Sequence, residues 1–507
     1  MTVIIESIGL KGMEGYKVNV EVQSIIGRDA IHIVGLPDAS VRESKERITA
    51  AFYSLGYYMN GKKIIINLTP SEQRKNGPLF DLPIAIGILI SMDVIQLKIS
   101  EDVGFIGALS LDGSIQPFEG MLPIILSARK LGFKRLYLPF DRKLPHIEID
   151  ELELCYVTSI QEVIQHLSGQ ITLHLYSSLA EERSTPTEYI DFSQIIGHTE
   201  AKYALTVAAA GAHHLLMTGP PGCGKTMLAE SMPSILAPLT RNEQLEMMSI
   251  YQIGGVDYRN GNQPSFRLPH HSASAISIIG GGQYPKPGEI SLAHRGILFL
   301  DEIAEYSKKT LDMLRQPIEN GYVTINRVNS SVTFPASFIL IGAMNPCPCG
   351  YYGSQTHYCT CTKKQILMYQ NKLSGPIRDR FDINLSLSSV KIKDSSFHDY
   401  GSSKAISMKV EDARKRQYDR YGMEVCNSRI SIDILQKLSP LSKEQKQVLH
   451  HLSIKNNLSN RIQIKIIRLA RTISDLEGQF AITDESIWKA IQLNNHEREK
   501  PKIKNVQ

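Results

Sequence analysis

No apolar run in this sequence is long enough to cross a bilayer. The longest candidate, Pro83–Met92, is cut off by Asp93, well short of the ~20 residues a spanning helix needs. The opening MTVIIESIGL has no basic region and carries Glu6 early, which argues against a secretory signal. Cysteine is scarce, with seven in 507 residues. Without a secretory signal a disulfide framework is not expected, and reduced thiols or a metal site are. A cytoplasmic location with no membrane partner is therefore the expectation. Strong charge of one sign is also missing, because a net +5 is too mild to identify a nucleic-acid partner by itself. The excess is uneven: residues 401–507 hold 20 Lys and Arg against 12 Asp and Glu, leaving the rest slightly acidic. That stretch suits a solvated helical surface and a DNA-facing one equally. No internal repeat or low-complexity tract stands out.

A chain of 507 residues exceeds one comfortable core, so two or three domains are expected. Residues 1–176 alternate strand and helix patterns. Val41–Leu55 has helical spacing and stops at Gly56, Ile64–Leu68 is a short apolar strand, and Pro83–Met92 is a buried helix. Val103–Leu111 runs into Asp112-Gly113, a hairpin signal; Gly120–Leu131 is a helix stopped by Gly132, followed by the strand Arg135–Leu138. The polar, proline-containing stretch 177–189 reads as a linker. A second α/β unit occupies 190–390, helical patterns fill 391–497, and 498–507 is a polar tail.

The second unit carries the chemistry. The apolar strand Leu215–Thr218 leads into Gly219-Pro220-Pro221-Gly222-Cys223-Gly224-Lys225-Thr226, and helical residues follow. Strand, GxxxxGK[ST], helix is the context a phosphate-binding loop requires. Its glycines let backbone N–H groups approach phosphate oxygens. Lys225 is expected to reach the β- and γ-phosphates of ATP, and the Thr226 hydroxyl to ligate Mg²⁺. The strand Gly296–Leu300 ends in Asp301 and Glu302. Asp301 is placed to hold Mg²⁺, and Glu302 to orient and deprotonate an attacking water. A third strand, Ile339–Met344, ends in Asn345, an amide in reach of the γ-phosphate or the water.

Four of the seven cysteines crowd into 15 residues, as Cys347-Pro348-Cys349 and Cys359-Thr360-Cys361, with His357 between. Four thiolates can complete a tetrahedral Zn²⁺ site, although CxC is tighter than the usual CxxC. A loop of reduced, metal-free cysteines is the competing reading.

With those strands in place, the chain resembles the ComM/YifB family of magnesium-chelatase-like AAA+ ATPases over essentially its whole length. The resemblance rests on VGLPDASVRESKERI at 34–48, GPPGCGKT at 219–226, PGEISLAHRGILFLDEI at 287–303 and LRQPIENG at 314–321. It rests further on FPASFILIGAMNPCPCG at 334–350, SGPIRDRFD at 374–382 and ARTISDLEG at 470–478. It implies an α/β fold in three parts: a Lon-protease-like domain, an AAA+ core with a helix-2 insert and pre-sensor hairpin, and a C-terminal helical lid. It also implies a homo-oligomeric ring, a hexamer, with ATP at subunit interfaces. On that resemblance Asn345 matches the first sensor, Arg380 the arginine finger that completes a neighbour's site, and Arg461 the lid's second sensor. A guanidinium suits such roles because it is always charged and donates a planar fork to phosphate. Arg378 sits where the family tends to be apolar.

The Lon-like resemblance is to a domain without its catalytic pair. Leu79 stands at the position of the nucleophilic serine and Leu122 at that of the lysine. Neither can act as nucleophile or base, so peptidase activity is not expected. Function by resemblance is a DNA motor: a helicase driving branch migration of single-stranded or branched DNA in natural transformation. Arg327 and Asn329, near the turn of an expected hairpin at Gly321–Phe334, and the stretch Phe266–His271 are candidate DNA contacts. Two rivals are a metal-insertion motor like the chelatase itself, for which no integrin-like partner domain is appended, and a protein-remodelling ATPase that binds polypeptide through the Lon-like domain.

Overall fold

Alternation of apolar positions such as Val18, Val20 and Val22 sets one face of a sheet inward. It produces a long antiparallel pair, Thr2–Lys11 against Glu14–Ile26, in register from Thr2↔Gln23 to Lys11↔Glu14. The computed structural model describes residues 2–494 apart from 143, 146, 148, 174–188, 259, 260, 283, 284, 328, 329, 355, 356, 390–400 and 457. Residues 177–188 of the expected linker, the connection 390–400, the polar tail and Asn329 therefore lie outside the described residues, as does the side chain of Arg327. No described helix is long and apolar enough to cross a membrane.

The chain divides into two units, residues 1–184 with 248–258, and 185–247 with 259–507. The core expected at 190–390 and the helical region expected at 391–497 both fall largely in the second unit. The first unit is built on a seven-stranded mixed sheet. Its strand order is Ala30–Val34, Lys62–Thr69, Glu14–Ile26, Thr2–Lys11, Val103–Phe105, Arg135–Pro139, Glu153–Val157. The expected run Val103–Leu111 is split: its first three residues join the sheet, while Ala108–Leu109 pairs with Ile115–Gln116 across the Asp112-Gly113 turn. Helix Ala39–Ser54 starts at Asp38, whose side chain accepts from Val41 N. Helix Asp81–Ser91 is buried almost throughout. Its Asp81 is held by a two-pronged Arg47 (2.7 and 2.9 Å) and by Leu109 N–H (3.1 Å), which gives one of the basic residues in the 34–48 motif a structural role. Leu79 and Leu122 are core residues, 6% and 1% exposed.

The second unit contains a five-stranded, wholly parallel sheet in the order Phe266–Arg267, Ile297–Leu300, Ile339–Met344, Leu215–Thr218, Ile383–Ser386. Continuous apolar runs such as Ile297–Leu300 and Ile339–Met344 are buried along their length, as a parallel sheet covered on both faces requires. Residues 266–267, considered above as DNA contacts, are the edge strand. Arg267 forks onto Glu289 at 2.7 and 2.8 Å, so its guanidinium is committed within the unit. The hairpin forms as expected, Tyr322–Arg327 against Ser330–Pro335.

Helices Ser403–Tyr421, Asn460–Leu476 and Asp484–Asn494 complete the unit. The ARTISDLEG stretch owes its composition to a buried ion network. Arg471 is fully buried and bonds Asp475 Oδ1 (3.0 Å) and the Phe480 carbonyl (2.8 Å). Asp475 also accepts from Arg420 Nη1 (3.0 Å) and Asn427 Nδ2 (2.9 Å). Removing one member of a buried ion network strands the others without compensation, at a cost of about 3–5 kcal/mol. Asp475→Ala should lower the stability of the second unit by about that much, read as a drop in its urea midpoint.

Candidate nucleotide-binding site

Parallel pairing fixes where the functional residues fall. Thr218 lies opposite Met344, and Leu300 opposite Gly342. The loop after Thr218, the carboxylates after Leu300 and the amide after Met344 therefore emerge at one edge of the sheet, where ligands of parallel α/β folds bind. Gly219 N–H donates to Met344 O at 3.2 Å. A Cβ on Gly219 would lie 2.8 Å from Leu387 O, so no side chain fits. Gly222 and Gly224 are left-handed, with φ of 73° and 86°, which lets the loop double back before helix Lys225–Ser231.

The Lys225 ammonium donates to Gly219 O (2.8 Å), Pro220 O (3.0 Å) and Asn345 Oδ1 (3.1 Å). Burial holds its pKa below the ordinary lysine value, opposed by Cys223 and by the carboxylates of Asp301 and Glu302. The structure thus brings together Lys225 and Asn345, residues 120 apart in sequence. Thr226 Oγ1 donates to Asp301 Oδ2 at 3.0 Å, and Asp301 Oδ1 accepts from Glu302 N–H at 2.9 Å. Two neighbouring hard oxygens suit Mg²⁺, whose octahedral ligands at about 2.1 Å stand roughly 3.0 Å apart. Glu302 has a left-handed backbone, φ 48°. For a residue with a Cβ that costs about 1–2 kcal/mol, and such outliers cluster at functional sites. Its carboxylate is more than half exposed, 4.0 Å from His271 Nδ1.

The arginines group elsewhere. Arg380 Nη2 reaches Glu319 Oε1 at 2.8 Å, and Arg461 pairs with the same oxygen. No described hydrogen bond or ion pair joins Arg461 to the loop 219–226. Arg378 instead donates to Gln370 O at 2.9 Å, so the two arginines of the 374–382 stretch diverge. Burial, Arg461 and Arg315 together hold the Arg380 pKa below its ordinary value, with Glu319 opposing. The four clustered cysteines follow Asn345, with their sulfurs within 4.8 Å of one another.

Sequence reasoning missed two residues, His198 and Glu319, and read a third, His271, only as part of a candidate DNA contact. His198, with its αL backbone before helix Thr199–Gly211, bonds the backbone of Cys223 in the loop. His271 faces Glu302, and Glu319 is the shared partner of both arginines. The charged residues within the LRQPIENG stretch were the available signal for Glu319. The contacts of the two histidines are long-range and left none.

The family model described as magnesium chelatase, subunit ChlI, matches residues 191–395. Models of the same subunit and of its C-terminal part match 20–142 and 401–494. The chain is 36% identical over 493 residues to the protein YifB of Salmonella typhimurium, covering 96% of each. It is 35% identical over 497 residues to the competence protein ComM of Haemophilus influenzae, again covering 96% of each. The ChlI subunit of Chlorella vulgaris is 21% identical over 211 residues, 41% of this chain and 52% of that one.

Two substitutions separate binding from turnover. Lys225→Ala should abolish binding of a fluorescent ATP analogue. Glu302→Gln should bind it normally while steady-state turnover falls about 100- to 10,000-fold, the usual worth of a positioned base. Full turnover by the Glu302→Gln protein would refute the water-activating role.

Proposed function

The chain belongs to the ComM/YifB group of the magnesium-chelatase-like family, and on that premise we propose that it is an ATP-hydrolysing AAA+ ring motor that acts on DNA. The observation that carries the hydrolytic part is the convergence of Lys225, Thr226, Asp301, Glu302 and Asn345 at one edge of a parallel sheet. Lys225 exchanges its carbonyl partners for β- and γ-phosphate oxygens. Thr226 and Asp301 would hold Mg²⁺, which when bound would supply charge neutralisation at the phosphates. Glu302 accepts a proton from the attacking water, and Asn345 donates its amide N–H to the water or to the γ-phosphate.

A subunit's own site offers no arginine, among the described contacts, to the developing negative charge. The Arg380–Arg461 pair on Glu319 supplies it to the next subunit of a ring, a hexamer in this reading, by exchanging Glu319 for phosphate. Arg315, which bonds Ser374 Oγ at 3.2 Å and pairs with Asp312, lies close enough to help lower the Arg380 pKa. In this reading Arg461, the second sensor implied by the resemblance, acts beside Arg380 from their shared partner Glu319.

The DNA-motor reading, helicase action with branch migration during natural transformation, is supported by the likeness to the competence protein. Further support comes from the basic residues of 401–507 and the hairpin whose first strand ends at Arg327. Buried Leu79 and Leu122 suit a first unit used for assembly or partner binding rather than peptide cleavage.

Arg380→Ala protein should assemble yet be inactive, and mixing it with inactive Lys225→Ala protein should restore part of the ATPase rate. No recovery at any ratio would rule out a shared interface site. The DNA reading is tested by steady-state ATPase activity with no DNA, single strands, duplex and a four-way junction. Stimulation greatest with single strands or the junction is expected. A rate indifferent to every DNA but raised by unfolded protein would assign the motor to protein remodelling.

A further inference from the structure

The segment that follows Asn345 carries chemistry that ATP hydrolysis does not use. Cys347, Cys349, Cys359 and Cys361 have all four sulfurs within 4.8 Å of one another. Cys347 to Cys349 is 3.3 Å, Cys347 to Cys359 is 3.7 Å, and Cys349 to Cys359 is 3.6 Å. A tetrahedron of thiolates about 2.3 Å from a central zinc has edges of roughly 3.8 Å. A disulfide would draw its two sulfurs to about 2.0 Å, well inside the separations here. Cys347 is buried and the other three are half-buried. Tyr352 N–H points at Cys347 Sγ at 3.3 Å, the kind of donor that supports a metal-bound thiolate. The second CxC runs straight into a boxed helix start, Thr362 with Gln365, so both ends of the cluster are anchored. Four soft ligands with no place for a substrate select a closed structural site for zinc over harder cations.

The cluster also touches the nucleotide loop. Gly350, with φ 85°, closes the first CxC by donating to Cys347 O at 3.0 Å. A Cβ at Gly350 would stand 2.6 and 2.7 Å from the ring carbons Cδ and Cγ of Pro221. The backbone of the cysteine turn therefore lies flush against the phosphate loop, and only glycine permits it. Two residues before Cys347, Asn345 accepts from Lys225. One short segment thus braces the loop on two sides.

We propose that these four cysteines bind one Zn²⁺ per chain as a closed tetrathiolate, and that the metal holds the turn at Gly350 and Asn345 so that the phosphate loop stays in its nucleotide-binding form. The second half of this proposal rests on the reading of 219–226 as the nucleotide loop; the first does not. Loss of zinc weakens nucleotide binding; so does peroxide, as each pair of thiolates forms one S–S bond, its two electrons break the O–O bond to give water, and Zn²⁺ is released.

The test uses the full chain. Metal analysis of the purified protein should find one zinc, and exchange for Co²⁺ should give the intense thiolate charge-transfer and tetrahedral bands of a four-sulfur site. Cys359→Ser with Cys361→Ser should remove both signals. Zinc chelation should weaken binding of a fluorescent ATP analogue by about tenfold or more, the usual cost of losing a supporting shell, and zinc restores it. Gly350→Val should weaken binding with zinc retained, whereas Lys225→Ala should lose nucleotide and keep full zinc.

Protein that takes up neither zinc nor thiolate-bound cobalt, or that holds only disulfides, overturns the metal site. Zinc whose removal leaves nucleotide affinity unchanged overturns the coupling. Wild-type protein with full zinc that binds no nucleotide would refute the loop assignment and the coupling together, and the metal site would stand. Chelation and restoration of the wild-type chain give these answers even where a serine variant fails to fold.

Discussion

The site depends on one constraint: the parallel register of three buried strands. With Thr218 beside Met344 and Leu300 beside Gly342, a phosphate loop, a carboxylate pair and an amide are delivered to the same edge. A slip of one residue in any of the three would turn its side chains to the opposite face and separate Lys225 from Asn345 or Thr226 from Asp301. The apolar character of these strands is thus as much a part of the chemistry as the polar residues at their ends. It is burial on both faces that makes the register expensive to change.

Local pattern was enough to find what lies on one strand and its following turn. The positions of the loop 219–226, of Asp301 with Glu302 and of Asn345 after their strands, the hairpin pairing Tyr322–Arg327 with Ser330–Pro335, and helices such as Asp81–Ser91 were legible, because each signal is contiguous. Sheet order was not legible, since neighbours such as Leu215–Thr218 and Ile339–Met344 are far apart in sequence. Nor did local pattern decide between a DNA contact and a structural part of the insert for Phe266–Arg267, an edge strand whose arginine bonds Glu289. Motif resemblance pointed to Arg380 and Arg461, but the side chain that brings them together is Glu319, from a different motif. Composition likewise showed the cysteines, whereas the contact of Gly350 with Pro221 appears only in three dimensions.

The two units divide the work of stability and chemistry. In the first, Asp81 is clamped by Arg47, and the leucines at positions 79 and 122 are part of the core. In the second, the Arg471–Asp475–Arg420 network welds the helical lid to itself, while Lys465 bonds the carbonyl of Phe381 at 2.7 Å. The stretch carrying Arg380 is thereby tied to helix Asn460–Leu476, which carries Arg461.

The carboxylate of Glu319 holds both guanidiniums, quieting two cations that would otherwise repel each other at a partly exposed surface. In the ring proposed above, a neighbour's phosphate would gain those cations only by displacing Glu319, so each contact made is set against one given up. The charge that a competing anion must carry is then written into a single side chain, the acid of the LRQPIENG stretch.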